Sequence, residues 1–317
     1  MRRTPSLFCL LFLLLAVGAC KPAVGRAPSL VVGPEILAIK GDPAEVSPDA
    51  SVSYRFLMAS PSGTVTDAQG AWDVCLQPKP PSESNSVASA CVAAPSGADV
   101  GATFTAPVPS DACSLFGPNA PAAKQGQPPL RPRDPDITGG YYVPVRLLAD
   151  NGAGGTLMAF DFERVFCGVG SAPLTAIQDY NTRYKKNTNP TVQGLAVIAS
   201  DGTGTRTDIL AGPATVASGS AVALVASASA GSAETFPVYD SVAQVLNDQV
   251  EILSLSWFAS DGKFKYDRND ADSTSLEASN TWTAPQVAAS EDIPLWVVMR
   301  DSRGGVDFVS TTLTVVP

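Results

Sequence analysis

Apolar and polar residues alternate with a period of two along most of this chain, which is the pattern of half-buried β-strands. In the first half, Val52, Tyr54 and Phe56 alternate with two serines and an arginine. Comparable runs predict strands over residues 36–39, 51–56, 72–76, 143–147, 160–163, 222–226, 253–257, 295–299 and 309–315. Because no convincing helical period accompanies these runs, the sequence predicts an all-β fold.

Clusters of glycine, proline, asparagine and aspartate separate the predicted strands. Residues 301–305, Asp-Ser-Arg-Gly-Gly, predict a hairpin turn because glycine supplies the positive φ that such turns need. Strands joined in this way favour antiparallel β-sandwiches. The first half also carries a long insertion between residues 78 and 140, rich in proline, serine and alanine. A loop of that length needs something to fix it in a compact domain, and we expect Cys91 and Cys113 to do so.

The N-terminus has the layout of an export signal. Arg2 and Arg3 form a basic start, residues 7–17 are apolar, and Gly18 and Ala19 precede Cys20. The apolar run is too short to span a bilayer comfortably. The ending resembles the lipobox of bacterial lipoproteins, and this resemblance implies cleavage before Cys20 and acylation of that cysteine.

The resemblance divides the N-terminal region into a lipoprotein signal peptide, residues 1–19, and a lipidated tether, residues 20–32. Lys21 follows the cysteine, where an aspartate is the usual signal for retention in the inner membrane. We therefore expect a lipid-anchored protein of the bacterial cell envelope, delivered to the outer membrane. No segment after residue 20 is long and apolar enough to span a membrane.

Charge and histidine content narrow the possible functions. The chain has a formal net charge of −9, and loss of residues 1–19 removes two arginines and no acids, which leaves −11. An acidic chain without a basic run is a poor ligand for nucleic acid. The sequence contains no histidine, which excludes Ser-His-Asp triads, Cys-His dyads and histidine-ligated zinc. Catalysis would have to use carboxylate pairs or Ser/Lys chemistry, and no cofactor is predicted.

Four cysteines remain once Cys9 leaves with the signal peptide and Cys20 takes the lipid. An even number of cysteines in an oxidising compartment predicts disulfides, here two. Their spacings of 16, 22 and 54 residues contain no Cys-x-x-Cys metal knuckle. Proximity along the chain favours Cys75–Cys91 and Cys113–Cys167, with the other two pairings open. All four lie in the first half, which predicts one disulfide-containing domain followed by a cysteine-free domain.

The boundary between these domains is expected in the polar stretch 179–190. The sequence thus predicts a disulfide-containing β-sandwich with a long insertion at residues 33–187 and a second β-sandwich at residues 188–317. The second has a length of about 130 residues, which is enough to enclose a single core without disulfides or a structural metal. We expect it to fold alone, with Trp257 in its core because Leu253 and Leu255 share its face.

The second half resembles the Ig-like or PKD-type modules of bacterial surface proteins. The resemblance rests on three segments: Leu255-Ser-Trp-Phe-Ala-Ser-Asp-Gly262, Asn280-Thr-Trp-Thr-Ala-Pro285 and Leu295-Trp-Val-Val-Met-Arg-Asp-Ser-Arg-Gly-Gly305. It covers residues 188–317 and implies an Ig-like fold there, and together with the strands predicted in the first half it predicts two Ig-like antiparallel β-sandwich domains. The first half is similar to a family of bacterial lipoproteins with no assigned activity, through residues 34–38, 72–75 and 131–140. This second resemblance implies fold and location only.

Few residues stand out as candidates for chemistry. The densest acidic stretch offers the calcium candidates Asp267, Asn269, Asp270 and Asp272, but it breaks the EF-hand order, so a solvated loop is expected there. Trp296 falls on the face opposite Leu295, where partial exposure would let it stack on a sugar ring. Ser260 and Lys263 have Ser-x-x-Lys spacing, but they lie at a predicted turn and lack companion motifs.

These observations predict a non-enzymatic binding, adhesion or structural module anchored to the envelope by lipid, with a protein partner there. The alternative is a carbohydrate-binding or carboxylate-based carbohydrate-active protein. A concave, aromatic-lined cleft with two carboxylates about 5–10 Å apart would favour that alternative.

Overall fold

The computed structural model describes residues 27–80, 82–94, 99–118, 125–126, 137–170, 172–198 and 204–317. The predicted signal peptide, Cys20 and most of the segment 131–140 lie outside these ranges. Within them, no helix has the length and apolar character needed to cross a membrane. The fold is all-β, with two antiparallel sandwiches.

The first sandwich contains the strands that the alternating pattern predicts in the first half of the chain. They are β1 (Glu35–Asp42), β2 (Glu45–Val46), β3 (Ser51–Ser60), β4 (Gly63–Thr64), β5 (Gly70–Val74), β6 (Asp99–Gly101), β7 (Thr103–Pro107), β8 (Gly140–Asp150) and β9 (Thr156–Phe166). One sheet pairs β1, β4 and β7 with β3, and the other has the order β2-β9-β8-β5-β6. Only the short β2–β9 pair is parallel among these described strands.

The inward-facing residues of these sheets form one apolar core. Val52 and Tyr54 from β3 meet Trp72 from β5 and Val145 from β8, and all four are buried. Period-two alternation places such residues on one face of each strand. The predicted strands at 51–56 and 143–147 are therefore confirmed as core strands, and the strand predicted at 72–76 is present but spans residues 70–74.

Strand β9 departs from the expected polarity. Its phenylalanines Phe160 and Phe162 lie on the face turned away from this core, whereas Glu163 is buried and shares its face with Val165. A two-residue period identifies two faces without saying which one is covered. Here the outer face is also covered in part, by the insertion.

The insertion between β5 and β8 is structured in its described parts. It contributes β6 and β7 to the two sheets and carries two short helices, α1 (Ser89–Ala93) and α2 (Ala112–Leu115). Disulfides join Cys75 to Cys91 and Cys113 to Cys167, the connectivity that proximity along the chain favours. Each bond fixes one helix of the insertion to the end of a core strand.

The second sandwich contains the remaining sheets. Its strands are β10 (Val192–Ile198), β11 (Arg206–Asp208), β12 (Ala214–Ala217), β13 (Ala221–Ala228), β16 (Ser254–Ala259), β17 (Lys263–Phe264), β18 (Arg268–Asp270), β19 (Glu277–Thr283), β20 (Glu291–Arg300) and β21 (Val306–Val316), with β14 (Thr235–Asp240) and β15 (Val245–Val250) as a separate hairpin. The sheet orders are β11-β10-β13-β19-β17 and β12-β21-β20-β16-β18. Trp257 and Trp282 are fully buried between them, which confirms the predicted place of Trp257.

A helix that the sequence did not predict connects the two sandwiches. Helix α3 (Leu174–Arg183) follows Pro173, and the hairpin β14–β15 packs on it through Tyr180, Tyr239 and Leu246. Only Ala176 and Tyr180 are buried along the helix. Two buried positions are too few to produce the helical period by which a sequence shows an amphipathic helix.

The sandwiches also pack directly on each other. Trp296 and Val298 from the outer face of β20 contact Leu37 from β1 and Leu57 from β3. Trp296 is only 1% exposed, and its Nε1 donates to Thr64 Oγ1 at 2.8 Å. The expected partial exposure of Trp296 is wrong, because the first sandwich covers the face that alternation assigned to solvent.

The described end of the predicted tether is attached to the second sandwich. Val31 is fully buried, and its N–H donates to the carbonyl oxygen of Ala259 at 2.9 Å. Leu30 forms an isolated parallel bridge with the same residue. Residues 29–31 are thus part of the folded body.

Candidate functional site

The outer face of the second sheet of the first sandwich holds an apolar groove. Val143 and Val145 of β8 face the core, so Tyr142 and Pro144 face outward. Pro144 lies directly opposite Phe162 of β9. These three outward residues form the groove floor.

Two parts of the insertion wall this floor. Val87 and Ala88 precede helix α1, and Phe116 follows helix α2. The disulfides Cys75–Cys91 and Cys113–Cys167 hold the two helices beside β5 and β9. The groove has a volume of about 460 Å³, which is in the range of small-ligand and peptide pockets.

A buried arginine fastens the first wall to the sheet. Arg146 faces outward from β8 but is only 1% exposed. Its Nη1 donates to the carbonyl oxygens of Cys91 at 3.1 Å and Ala94 at 2.7 Å, and its Nη2 lies 3.4 Å from Asp73 Oδ2. The sequence pattern treated Arg146 as a solvent-facing residue, and only the packing of the insertion reveals its role.

The chemistry of the groove suits binding better than catalysis. Its described lining is aromatic and aliphatic, with the polar residues Gln77, Lys79 and Ser86 at the rim. No carboxylate belongs to that lining. The acid pair that glycoside hydrolysis needs is therefore missing from the described groove.

An acid pair does exist, on the other face of the same strand. Asp161 and Glu163 of β9 point toward Tyr54, whose hydroxyl hydrogen-bonds to Glu163. Burial raises the pKa of Glu163 to about 9, helped by the nearby Asp161 and Glu45 charges. Burial likewise raises the pKa of Asp161 to about 6. These carboxyls lie inside the sandwich and cannot reach a ligand in the groove.

The second notable polar group is a buried ionic cluster between the sandwiches, which we call the junction cluster: Glu45, Arg164, Tyr184, Glu251 and Arg303. Arg164 Nε lies 3.2 Å from Glu45 Oε2, and the Tyr184 hydroxyl donates to the same oxygen at 2.6 Å. Arg303 Nε donates to Glu251 Oε1 at 2.5 Å. Burial and the charge of Asp301 raise the pKa of Glu251 to about 7, although Arg303 opposes the shift.

The predicted hairpin turn supplies the arginine of this cluster. Asp301 Oδ1 accepts the backbone N–H groups of Arg303 at 2.8 Å and Gly305 at 2.9 Å, which fixes the turn. Asn187 Nδ2 donates to both carboxylate oxygens of Asp301 at 3.1 Å. The turn prediction is confirmed, but the burial of Arg303 at 1% exposure depends on Glu251 and on the connecting segment 184–185, and it had no signal in the sequence.

The calcium candidates are used for local hydrogen bonds. Asn269 Oδ1 accepts from Trp257 Nε1 at 2.6 Å, and Asp270 Oδ1 accepts from Ser254 Oγ at 2.5 Å. Asp272 Oδ1 caps a turn, which lowers its pKa through backbone hydrogen bonds. The carbonyl oxygen of Asp267 accepts from Trp257 N at 3.0 Å. Among the described residues, no three acidic or thiol side chains converge on a metal position.

Comparison with known proteins adds little to this site. No protein-family profile and no curated protein matches the chain. Solved structures that align with it include the D00-D0 domain of intimin, at 9% identity and a TM-score of 0.23, covering 90% of this chain and all of that one. The Ig1-2 module of the Drosophila receptor protein tyrosine phosphatase DLAR aligns at 12% identity and a TM-score of 0.24, with the same coverage.

The Yersinia pseudotuberculosis adhesin InvE aligns at 11% identity and a TM-score of 0.22, covering 87% of this chain and 58% of that one. These scores are too low to transfer a function or a site. The all-β assignment rests on the sheets and cores described above.

Proposed function

We propose that this chain is a lipid-anchored, non-enzymatic binding module of the bacterial cell envelope, and that the apolar groove is its binding site. The observation that carries the proposal is the groove floor, where Tyr142, Pro144 and Phe162 are presented on a rigid central strand pair. A concave, mainly apolar pocket with a few polar groups is the usual form of a ligand-binding site. Phe162 remains 36% exposed, which leaves part of the floor accessible.

The groove is held open before any ligand arrives. Two disulfides and the buried Arg146 fix both walls to the sheet, so a ligand would not have to order them. A preformed site loses less conformational entropy on binding than one that must be assembled. This arrangement favours a binding site that is ready to accept its ligand without a conformational change.

The lining favours an extended polypeptide segment with apolar side chains as the ligand. Aromatic-lined grooves accept proline-rich peptides because those segments are already extended in the polyproline II conformation before they bind. Phe116 and Phe162 supply such surface here, and Lys79 at the rim suits an acidic residue or carboxylate beside the apolar segment. We therefore expect the partner to be a protein of the envelope.

The location is proposed from the N-terminal pattern. Cys20 at the end of the lipobox would carry the acyl groups and hold the protein at the outer membrane. Two disulfides agree with export, since disulfides persist in oxidising compartments. The pattern and the disulfides support the same compartment independently.

Carbohydrate binding is the competing function, and one feature favours it. The groove has the aromatic floor on which a sugar ring could stack. It lacks carboxylates among its described lining residues, so carbohydrate cleavage has no support there. Glycan binding is distinguished from peptide binding in the experiment below.

Site-specific photo-crosslinking in intact envelopes tests the proposal. A benzoylphenylalanine at Ser86, on the groove rim, should capture a discrete envelope protein. Phe162→Asp in the same chain should abolish the captured product because it places a charge on the apolar floor. Met158→Asp is the matched control, since Met158 is 46% exposed on the same face of β9 and does not line the groove. Capture that survives Phe162→Asp would contradict the assignment, and Phe162-dependent binding to purified glycans without protein capture would favour the carbohydrate function.

A further inference from the structure

The hairpin β14–β15 is covered on one side and open on the other. The central residues of β14, Phe236 to Tyr239, are buried. In β15 all residues are exposed except Leu246, which packs on α3. Both strands of this two-stranded sheet are edge strands, and the edge of β15 is the exposed one.

In the hairpin, hydrogen-bonded and non-hydrogen-bonded residue pairs alternate, and this alternation shows which backbone groups face that edge. Glu251 N donates to Glu234 O at 2.9 Å, so residues 234 and 251 form a hydrogen-bonded pair. In an antiparallel ladder such pairs recur every second residue. Phe236–Gln249 and Val238–Asn247 are then inward-bonded pairs, and the N–H and C=O groups of Leu246, Asp248 and Val250 point outward.

The outer edge of β14 is already closed. Tyr239 N donates outward to the carbonyl oxygen of Ile137 at 2.9 Å, which agrees with the same alternation. Pro237 occupies the next outward position and has no N–H to offer. On β15, by contrast, no hydrogen bond to the outward groups of Leu246, Asp248 or Val250 occurs within the described part of the chain.

The exposed edge carries few of the devices that prevent strand pairing. Residues 245–250 contain no lysine, proline or bulge. The one charge, Asp248, forms an ion pair with Arg183 of α3. Apolar side chains flank it, with Val245 47% and Val250 55% exposed. An open, nearly neutral edge of this kind is a site for β-strand addition.

We propose that β15 pairs with β15 of a second copy of this chain, in an antiparallel, two-fold register with Asn247 on the axis. Outward groups must meet outward groups, so the axis has to pass through a residue, and axes at residues 247 and 248 leave the most of β15 paired. An axis at Asp248 would place two carboxylates opposite each other, which is unfavourable. With Asn247 on the axis, Leu246 faces Asp248 of the other copy on both sides, and two neutral amides face each other at the centre.

The pairing would join two hairpins into a four-stranded sheet with both copies of α3 on one face. Leu246 and Asp248 contact α3, so Val245, Asn247 and Gln249 lie on the opposite face. An interface of one short strand from each copy buries less than the roughly 1,200–2,000 Å² of a stable complex. We therefore expect a reversible dimer, favoured by added salt because each chain is negatively charged, with a net charge of −9 that becomes −11 on loss of residues 1–19.

Cysteine crosslinking of the full chain in isolated membranes tests this register. Asn247→Cys should give a disulfide-linked dimer under mild oxidation, because the two Cα atoms would lie about 4.5 Å apart. Gln249→Cys alone should stay monomeric, since its own copy would lie about 13 Å away along the strand. A mixture of Val245→Cys and Gln249→Cys chains should crosslink. The unsubstituted chain controls for its native cysteines.

A second variant separates pairing from folding. Asp248→Pro removes an outward N–H without touching an inward hydrogen bond, so it should reduce Asn247→Cys crosslinking at least tenfold. Asp248→Ala should retain it, and both variants should keep the wild-type melting temperature within a few degrees. Equal crosslinking by Gln249→Cys and Asn247→Cys, or a monomeric Asn247→Cys chain, would overturn the proposal. Crosslinking of Asn247→Cys to a different protein alone would also overturn it.

Discussion

Glu163 is a carboxyl group placed where its charged form is disfavoured. It is 3% exposed, its Oε1 has no hydrogen-bond partner within the described chain, and burial raises its pKa to about 9. The folded protein then holds a proton that the unfolded chain has released above its ordinary pKa of about 4.5. Stability is therefore expected to fall as pH rises from about 4.5 through about 9, by up to about 1.4 kcal/mol per unit of pKa difference.

Glu163→Gln tests this sign. The variant keeps a neutral group that Tyr54 can contact, so its free energy of unfolding should decline less between pH 5 and pH 9 than that of the wild type. Denaturant unfolding at several pH values measures the difference. Glu277→Gln is the control, because Arg206 lowers the pKa of this partly exposed carboxyl. A pH profile unchanged by Glu163→Gln would show that the proton on Glu163 is not linked to folding.

Trp257 carries a large share of the second core. It is fully buried, and its Nε1 donates to Asn269. Trp257→Ala should cost about 3–5 kcal/mol, because it leaves a cavity and strands a hydrogen-bond acceptor. Tyr266→Ala, at a residue 49% exposed, should cost little and serves as the control in the same urea titration. Similar losses for the two variants would contradict the assigned core.

Whether the burial of a single residue could be predicted depended on whether another part of the chain covers the strand face that it occupies. Trp257 shares its face with Leu253 and Leu255, so alternation alone places it correctly in the core. Trp296 and Glu163 obey the same alternation, but the faces they occupy are buried by elements far away in the sequence. A periodic pattern carries no information about such cover.

At the scale of elements, the disulfides connect short helices to long strands. The Cys113–Cys167 bond closes a separation of 54 residues and the Cys75–Cys91 bond one of 16. Replacing either pair by serines should reduce stability by roughly 2–4 kcal/mol, and the longer loop should cost more because it frees more chain entropy. Guanidinium unfolding of the two double variants measures this order. A reversed order would indicate that local packing around α1 outweighs loop entropy.

The elements that define the candidate site were the hardest to predict. The core strands follow from alternation, and the two disulfides from the number and spacing of cysteines. The groove walls come from an insertion whose composition has no period, and α3 buries too few residues to show one. Arg146 and Arg303 look like solvent-facing residues until the segments that cover them are in place.

At the scale of the whole molecule, the proposed lipid anchor at Cys20 would determine where the groove can act. Cys20→Ser should move the protein from the membrane fraction to the soluble fraction, or leave the signal uncleaved, because acylation needs the thiol. Fractionation and intact mass of the mature N-terminus measure this. Cys9→Ser is the control, since Cys9 would leave with the signal peptide. A wild-type protein without acyl groups would contradict the proposed anchoring.

The two sandwiches share buried surface, and this sets how independent they can be. Trp296 and Val298 pack against the first sandwich, and Arg303 of the second reaches Tyr184 and Lys185 outside it. We still expect residues 188–317 to fold alone, since Trp257 and Trp282 lie in a separate core. The isolated segment should nevertheless be less stable, because each large apolar side chain returned to water costs about 1.5–3 kcal/mol.

Acrylamide quenching of tryptophan fluorescence distinguishes the contact between the sandwiches, where Trp296 lies, from the core of the second sandwich, where Trp257 and Trp282 lie. In the full chain Trp257, Trp282 and Trp296 should all resist quenching, whereas in residues 188–317 one component should become accessible. Trp296→Phe should remove that component and leave the other two protected. Protection of Trp296 in the isolated segment would mean that β20 finds another partner there. Loss of protection at Trp257 as well would mean that the second sandwich needs the first in order to fold, because its own core would then be open to solvent.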